Sequence, residues 1–248
     1  MPSTRLDDRS LIEVSGADAR AFLQGLVTCD MDKVSATQPA FGALLSAQGK
    51  ILTDFIITQT DEGFLLDTPS AQSADLLKRL SLYKLRAQIT LRLRDDLGVA
   101  AIWDEPASEG LTDPRSAELG SRAIVARTEL VRFGANAPAY EAKRIAAGIP
   151  KGGLDFTYGD AFPHDVNMDL IGGVDFRKGC YVGQEVVSRV QHRSTARRRI
   201  RLVRLSGPAP TTGTPILAGD VEIGTIGSMT DAIALASLRI DKFEDAKT

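Results

Sequence analysis

The residues best suited to chemistry lie in a short segment around one of the two cysteines of the chain. Cys180 follows Arg177 and Lys178 closely and stands between Gly179 and Gly183. Adjacent cations favour the thiolate over the thiol, because the anion gains Coulomb stabilisation. Glycine permits a tight turn or a close approach to a ligand, because it has no Cβ. The pattern indicates a reactive or ligand-binding thiolate in a loop, although a lone cysteine between glycines is also typical of a small buried hydrophobic residue.

A helix is predicted directly after this loop. The stretch from Gln184 to Val190 can continue as a helix, and Glu185 in its first turn suits the positive end of the helix dipole. We expect Gly179 and Gly183 to permit the loop, and Gln184 and Glu185 to hold it by hydrogen bonds. The thiol would then lie near a helix start, in positive potential.

Both histidines of the chain flank the cysteine segment. His164 and His192 are candidates for a thiol–imidazole pair with Cys180, in which Asp165 or Glu185 would orient the imidazole. The same three side chains are conceivable metal ligands, but their spacing matches no zinc pattern. No metal site is therefore predicted. The other cysteine, Cys29, has no charge cluster around it, and we expect it to be structural.

The segment Lys-Gly-Cys-Tyr-x-Gly-Gln-Glu at 178–185 resembles the signature of the YgfZ-type folate-binding proteins. These are relatives of the glycine-cleavage T-protein, an aminomethyltransferase, and act in iron–sulfur cluster assembly and tRNA thio-modification. Segments 163–169, 172–176 and 14–25 also fit this family. The resemblance implies an α+β, T-protein-like fold, with two interwoven α+β lobes around a central folate cavity and a small C-terminal β-barrel.

The resemblance also implies a tetrahydrofolate site. A carboxylate accepts the adjacent N–H and amine of a reduced pterin in a fork, and the position that matches the family's Pro-x-Glu segment is Asp165. A turn-capping loop carboxylate would explain Asp165 equally well without the resemblance. Cys180 would be the thiolate at the cavity mouth, needed for function without an established nucleophilic reaction. The residues assigned to the cofactor are Asp165, Asn167 for polar contact, Lys178 to bias the thiol, Gly179, Tyr181 for stacking, Gly183, Gln184, Glu185 and Arg193.

One-carbon transfer is the first alternative function. The T-protein relatives have an acidic pair in the region of Thr53 and Asp54, where this chain retains only one carboxylate. A folate-dependent aminomethyltransferase would use Asp54 and Cys180 as its catalytic residues. An exposed strand face would explain Asp54 equally well, so enzymatic activity stays open.

Arginines give the strongest local charge bias of the chain. Seven lie within sixteen positions after the cysteine segment: Arg189, Arg193, Arg197, Arg198, Arg199, Arg201 and Arg204. Such a cluster can bind the glutamate tail of folate, an RNA backbone or an acidic protein, or it can be a solvated linker face. An RNA-binding module is thus the second alternative function, although few aromatic residues are interleaved for base stacking.

Composition indicates an ordinary globular protein. The 248 residues are 43% hydrophobic and 25% charged, and the net charge of −2 gives no overall attraction to nucleic acid or membrane. Two cysteines allow at most one disulfide and too few thiolates for a four-thiolate cluster. We find neither a signal peptide nor an apolar run of ~20 residues, and we expect a cytoplasmic protein without a membrane partner.

Periodicity predicts α+β structure followed by β structure. Strands are expected at 11–14, 41–45, 51–58, from 64, and at 88–93, 99–103, 123–125 and 130–133, with helices after Ser15, after Ser70 and at 139–147. Short strands at 214–217, 221–226 and 232–238 indicate a small barrel. We divide the chain into a T-protein-like folate-binding region, 1–195, and a β-barrel domain, 196–248. The favoured function is tetrahydrofolate binding that supports assembly or repair of iron–sulfur proteins, with client or assembly proteins as partners.

Overall fold

The structure, a computed structural model, describes residues 2–104, 109–193 and 196–245. The α-helices are α1 (Ala19–Gln24), α2 (Ser70–Lys84), α3 (Ala137–Ala146), α4 (Gln184–Arg193) and α5 (Ile240–Asp245). Short 3-10 helices lie at Met31–Lys33, Ala117–Leu119, Arg127–Arg132 and Pro163–Val166. The strands are β1 (Ser3–Arg5), β2 (Arg9–Ser15), β3 (Ala40–Leu45), β4 (Ile51–Thr60), β5 (Gly63–Pro69), β6 (Thr90–Leu93), β7 (Leu97–Ile102), β8 (Leu111–Thr112), β9 (Ser121–Ala126), β10 (Arg198–Arg204), β11 (Pro215–Ala218), β12 (Val221–Met229) and β13 (Ile233–Arg239).

Three antiparallel sheets organise these strands. The first sheet has the order β3-β4-β5-β2-β6, and the second has the order β1-β7-β9-β8. Because β1 and β2 follow each other in the chain but belong to different sheets, the two lobes are interwoven. The third sheet, β10-β13-β12-β11, is formed by the end of the chain alone. The α+β class and the β-rich C-terminal part are therefore as predicted.

The core of the first lobe follows from simple periodicities. Alternate residues of β2, Ile12 and Val14, face inward, and helical spacing puts Leu76 and Leu80 of α2 against them. All four side chains are fully buried. Each such leucine contributes about 2–5 kcal/mol, judged by the usual loss on truncation to alanine. The helix predicted after Ser70 is thus explained by one apolar stripe.

The predicted strand at 130–133 is wrong. This stretch lies in the 3-10 helix Arg127–Arg132 and its C-terminal residue. Leu130 and Phe133 are both buried while Val131 is exposed, which is a spacing of three and not an alternation of two. Leu130 packs on the bare backbone of Gly98 in β7, so tertiary contact at a glycine selects the helical turn.

A buried arginine attaches the third sheet to the rest of the chain. The guanidinium of Arg144 in α3 donates to Asp155 Oδ2 at 3.0 Å and to the Ser228 hydroxyl at 2.8 Å. Asp155 Oδ1 accepts from the Ser228 backbone N–H at 2.6 Å. A charge this deeply buried is stable only when its donors are satisfied, so this triad holds β12 in one position. Among the described residues, every helix is too short or too polar to cross a bilayer.

Candidate functional site

The loop around Cys180 is held at its ends and open at its middle. Cys180 is exposed, and a Cβ added to Gly179 would meet no atom within 4 Å. Gly183, by contrast, has φ +82°, and an added Cβ would lie 2.5 Å from the Ser46 carbonyl oxygen in the turn between β3 and β4. Only glycine suits both the conformation and this close approach. The loop thus presents a thiol to solvent from a fixed base.

Lys178 has a different partner from the one that the sequence predicts. Its ammonium donates to the carbonyl oxygens of Gln24, Val27 and Cys29 at 2.8, 2.7 and 2.7 Å. All three N–H donors are therefore used by the turn that follows α1. Burial lowers the pKa of Lys178, although the charges of neighbouring acidic groups partly oppose this. The residue ties the cysteine loop to the first lobe, and this geometry gives no support to a direct action on the thiol.

Helix α4 follows the loop as predicted, but the side chains of its first residues do not hold the loop by hydrogen bonds as we expected. The backbone N–H of Gln184 donates to the Tyr181 carbonyl at 3.2 Å, which closes the turn. The carboxylate of Glu185 instead forms an exposed pair with Arg189 at 2.7 Å. Arg193 lies in the last turn of α4, exposed to solvent. Tyr181 is buried, with its ring centroid 5.2 Å from the Lys178 nitrogen.

The two histidines occupy different environments. His164 is buried, and its Nε2 lies 3.1 Å from the Gln191 Oε1 of α4, while His192 is exposed. The ring of His164 lies 5.9 Å from that of Phe176. This histidine therefore packs α4 against the helical turn Pro163–Val166. Within the described ranges, no three His, Cys, Asp or Glu side chains are grouped so as to hold a metal ion.

Asp165 lies on the wall of a cavity of about 480 Å³ between segment 153–166 and the third sheet. Its Oδ2 accepts from the Phe162 N–H at 3.0 Å, and burial raises its pKa. Lys50, Arg197 and Arg198 contribute cations to the same wall. This cavity, which we call the Asp165 cavity, therefore combines a hydrogen-bond acceptor with positive charge.

Asn167, Cys180 and Asp54 lie outside the wall of the Asp165 cavity. Asn167, with φ +62°, donates through Nδ2 to the Ile200 carbonyl at 2.9 Å and so joins β10. Asp54 is buried and accepts a hydrogen bond from the Tyr158 hydroxyl. An exposed strand face therefore does not explain Asp54. Burial, followed by the charge of Asp54, raises the pKa of Tyr158. The structure does not bring the candidate residues into one pocket.

A buried network of charges, which the sequence analysis missed, joins the first two sheets. Asp67 of β5 accepts from Arg9 Nε at 2.6 Å and from Arg122 Nε of β9 at 2.8 Å. Asp113 holds Arg115 at 2.7 Å and approaches Arg122 at 3.5 Å. The only signal in the sequence was a charge inside an apolar strand, as in Leu65-Leu66-Asp67-Thr68. We call these five residues the inter-lobe network.

A second cavity, of about 440 Å³, opens where the two lobes meet. Its wall includes Phe41 of β3 and Pro39 just before that strand, Pro114 after β8, and Val174 and Asp175 from the segment before Cys180. Its lining mixes apolar side chains with charged ones such as Asp30 and Lys33, and Cys180 is not part of its wall. The segment upstream of the cysteine therefore forms a cavity wall, while the cysteine itself faces solvent.

Two family models match the chain. Residues 8–117 match the GCVT N-terminal domain, and residues 197–248 match the C-terminal beta-barrel domain of CAF17. The crystal structure of the glycine cleavage system aminomethyltransferase T from Bartonella henselae has a similar fold. It superposes with a TM-score of 0.75 at 17% identity, over 97% of this chain and 78% of that one. The T-protein-like fold is thereby confirmed.

Curated proteins are similar over nearly the whole chain. The human iron–sulfur cluster assembly factor IBA57, mitochondrial, is 31% identical over 97% of this chain and 78% of its own length. The mouse protein of the same name is 35% identical over 84% of this chain and 68% of its own length. The homologue from Coccidioides immitis is 34% identical over 88% of this chain. The chain spans between 55% and 62% of the length of three such fungal relatives.

Proposed function

Because the chain belongs to the family of the IBA57 iron–sulfur cluster assembly factors, we propose that it supports iron–sulfur cluster assembly through Cys180. The observation that carries this proposal is the exposure of the Cys180 thiol on a loop whose base is fixed at Gly183 and Lys178. A thiolate is the usual protein ligand of such clusters. Exposure is what a transferred cluster requires, because both the cluster and a partner protein must reach the sulfur.

The ligand count makes a partner necessary. Four thiolates are the usual complement of a cluster, whereas this chain has two cysteines and one of them, Cys29, is buried. Burial raises the pKa of Cys29 to about 12, which keeps it a thiol. The cluster is therefore a cargo held jointly with a client or assembly protein that supplies the remaining ligands.

The test compares the two cysteines in cells that lack their own copy of the chain. Cys180→Ala should abolish the recovery of iron–sulfur enzyme activities, because no other exposed thiol lies in the described ranges. Cys29→Ala should retain that recovery and serves as the matched control. Immunoblots establish that both variants accumulate. Full recovery with Cys180→Ala would exclude the thiol from the function.

We further propose tetrahydrofolate, or another folate, as the ligand of the Asp165 cavity. Asp165 offers a half-buried carboxylate on this wall, where donors from a pterin would favour its ionised form. Lys50, Arg197 and Arg198 suit the carboxylates of the folate tail. When bound, a reduced folate supplies nitrogens that carry one-carbon units.

Calorimetric titration with tetrahydrofolate tests this ligand. We expect measurable heat with the wild type and at least a ~10-fold weaker affinity for Asp165→Ala, since a charged hydrogen bond is lost. Asp61→Ala removes an exposed carboxylate from the turn between β4 and β5, which is not part of this wall, and should leave the affinity unchanged. Cys180→Ala should also keep folate binding. Absence of heat with the wild type would exclude folate while leaving the role of Cys180 intact.

The two alternative functions stay predictions. Asp54 lies on the wall of neither of these two cavities and accepts a hydrogen bond from Tyr158. Turnover of an aminomethyl donor that Asp54→Asn abolishes would establish aminomethyl transfer. Two of the clustered arginines are paired within the chain, since Arg199 lies 2.5 Å from Asp169 and Arg189 lies 2.7 Å from Glu185. RNA binding would be shown by tRNA affinity that falls steeply with salt.

The named relatives are mitochondrial, and the cytoplasmic location of this chain stays a prediction.

A further inference from the structure

Large apolar side chains cover the end of α2 on the side that faces away from the core. Leu76 and Leu80 are fully buried, whereas Leu82 is 70% exposed and Tyr83 40% exposed. Leu85, the residue at which the helix ends, is 88% exposed. Single exposed leucines are common, but three large apolar side chains within four positions form a patch of the kind that marks interaction sites.

The backbone at Leu85 adds a second observation. Its dihedral angles are φ +41° and ψ −106°, a conformation that residues other than glycine rarely adopt. Leucine does not lower the conformational strain at this position as glycine would, and its side chain gains nothing from burial because it is exposed. Strained backbone of this kind clusters at functional sites. The strained backbone here projects an aliphatic side chain into solvent.

The same region is strongly positive in a chain whose net charge is −2. Residues 76–94 contain no Asp or Glu, and they contain six cations: Lys78, Arg79, Lys84, Arg86, Arg92 and Arg94. Arg79 pairs with Asp75, and Arg92 and Arg94 pair with Glu13. For the other three, the described part of the chain holds no carboxylate oxygen within 4.0 Å of a side-chain nitrogen. Lys78, Lys84 and Arg86 therefore have no carboxylate partner in the part of the chain that the structure describes, although Asp18 accepts from the Gln88 backbone N–H close by.

Strand β6 completes this surface with a free edge. It is the last strand of the first sheet and pairs on one side with β2. Within the described ranges, no strand pairs with its other side, so alternate N–H and C=O groups point outward. Beside it lies an open groove of about 460 Å³ whose wall includes Leu85, Arg86 and Ile89. Segment 82–86 and β6 together form what we call the α2–β6 surface.

We propose that the α2–β6 surface docks an extended, acidic segment of a partner protein. The segment adds a strand to β6 through backbone hydrogen bonds, places carboxylates beside Lys84 and Arg86, and covers Leu82 and Leu85 with apolar side chains. A lipid bilayer would match the charge and the leucines, but it offers no backbone groups to β6. The free edge and the groove therefore favour a protein.

The proposal is independent of the cysteine loop. The first sheet has β3 at one edge and β6 at the other, and the cysteine loop packs through Gly183 on the turn between β3 and β4. The two surfaces thus lie at opposite edges of one sheet. Occupation of one leaves the other accessible, so a failure at one surface does not decide the function of the other.

Photo-crosslinking in cells that express the full chain tests the proposal. The crosslinking residue p-benzoylphenylalanine replaces Leu85, and in a control it replaces Val131, which is 81% exposed on the 3-10 helix Arg127–Arg132. We expect a discrete protein adduct at position 85 and none at position 131. Mass spectrometry should map the adduct to a segment rich in Asp and Glu. Lys84→Glu combined with Arg86→Glu should reduce the adduct at least tenfold, and Leu82→Ser should reduce it as well.

Several results would overturn the proposal. These are an adduct that charge reversal leaves unchanged, an adduct in a basic segment, and no adduct above the Val131 control. Co-sedimentation with vesicles of equal parts phosphatidylcholine and phosphatidylserine is the remaining arm. Binding to these vesicles that is lost on Leu82→Ser would assign the surface to membranes instead. Unchanged thermal unfolding of each variant establishes that surface replacements leave the fold intact.

Discussion

Charged and polar side chains meet opposite environments in the inter-lobe network and in the loop around Cys180. In the network, every guanidinium and carboxylate is bound to a partner of opposite charge inside the protein. In the loop, the buried cation Lys178 donates to three neutral carbonyl groups. Among the described residues, the thiol of Cys180 has no hydrogen-bond partner. The network stabilises the contact between two sheets, whereas the loop leaves a thiol exposed to solvent.

The two cysteines show the same contrast in a single residue type. Cys29 is buried next to the Lys178 ammonium, and burial raises the pKa of its thiol to about 12 despite this positive charge. Cys180, two residues after Lys178, is exposed. Residue type therefore does not determine chemical availability in this chain. What decides it for these two thiols is burial, which encloses Cys29 in the first lobe and leaves Cys180 in contact with solvent.

Removing a cation from the inter-lobe network should have the largest effect. Arg122→Met leaves Asp67 with only Arg9 and weakens the pairing of Asp113, so we expect a loss of about 3–5 kcal/mol in the free energy of unfolding. Urea denaturation measures the change. Arg189→Met breaks an exposed pair on α4 and should cost no more than about 1 kcal/mol. Equal losses for the two variants would remove the contrast between network and surface.

Replacing Lys178 separates a structural role from a role in thiol chemistry. Lys178→Met leaves three carbonyl groups without their donor, so we expect a loss of about 2–3 kcal/mol in unfolding free energy. The rate at which iodoacetamide alkylates Cys180 in the native state should not change, because the ammonium points to the turn after α1. A clear slowing of alkylation would restore the role that the sequence predicts for Lys178.

The inter-lobe network should also make the free energy of unfolding depend on pH in the acid range. Burial alone would raise the pKa of Asp113, but the charges and hydrogen bonds of Arg115 and Arg122 outweigh it and hold the pKa at about 2, below the ordinary 3.8. Because the folded pKa is the lower one, this stabilisation is complete above about pH 4 and disappears as the pH falls towards 2, and it amounts to about 2 kcal/mol.

Urea denaturation at pH 5, 4, 3 and 2 measures this effect, with the pH values chosen to bracket the two pKa values. In Asp113→Asn, the contribution of this carboxyl to the fall in stability should be absent, whatever the stability of the variant at pH 5. A pH profile parallel to that of the wild type would show that the Asp113 carboxyl is not held in its charged form.

The smallest expected effect distinguishes the two glycines of the cysteine loop. Gly183→Ala forces a side chain into a positive φ and against the Ser46 carbonyl oxygen, so we expect a loss of about 1–2 kcal/mol and a lower recovery of iron–sulfur enzymes in cells. Gly179→Ala adds a methyl group to open space and should retain stability. Similar behaviour of both variants would contradict a loop that is fixed at one end and open at the other.

Local pattern was sufficient for much of the fold. The spacing of Leu76 and Leu80 predicts α2, and alternating residues predict β2 and most of the later strands. Helix α3 is expected at 139–147 and observed at Ala137–Ala146. The prediction failed at 130–133, where packing of Leu130 on Gly98 selects a 3-10 helix over a strand. That contact joins residues more than thirty positions apart, which no local window includes.

In the candidate site, too, the sequence predicted some features and not others. The eight-residue match at 178–185 identified the family and singled out Cys180, and the family is shown by the relatives. The roles of single residues were not readable, because they depend on which backbone lies nearby. Lys178 meets carbonyl groups about 150 positions away, and Asp54 meets the hydroxyl of Tyr158.

By itself, the sequence determined the α+β class, the positions of most helices and strands, and the segment that carries the exposed thiol. Only the tertiary structure decided which charges are used internally, as Asp67 with Arg122 across 55 positions illustrates. The physical reason is that periodicity and turn chemistry act over a few residues, whereas burial and ion pairing depend on distances in space. A cysteine, a lysine or an aspartate has no fixed chemistry until its neighbours are in place.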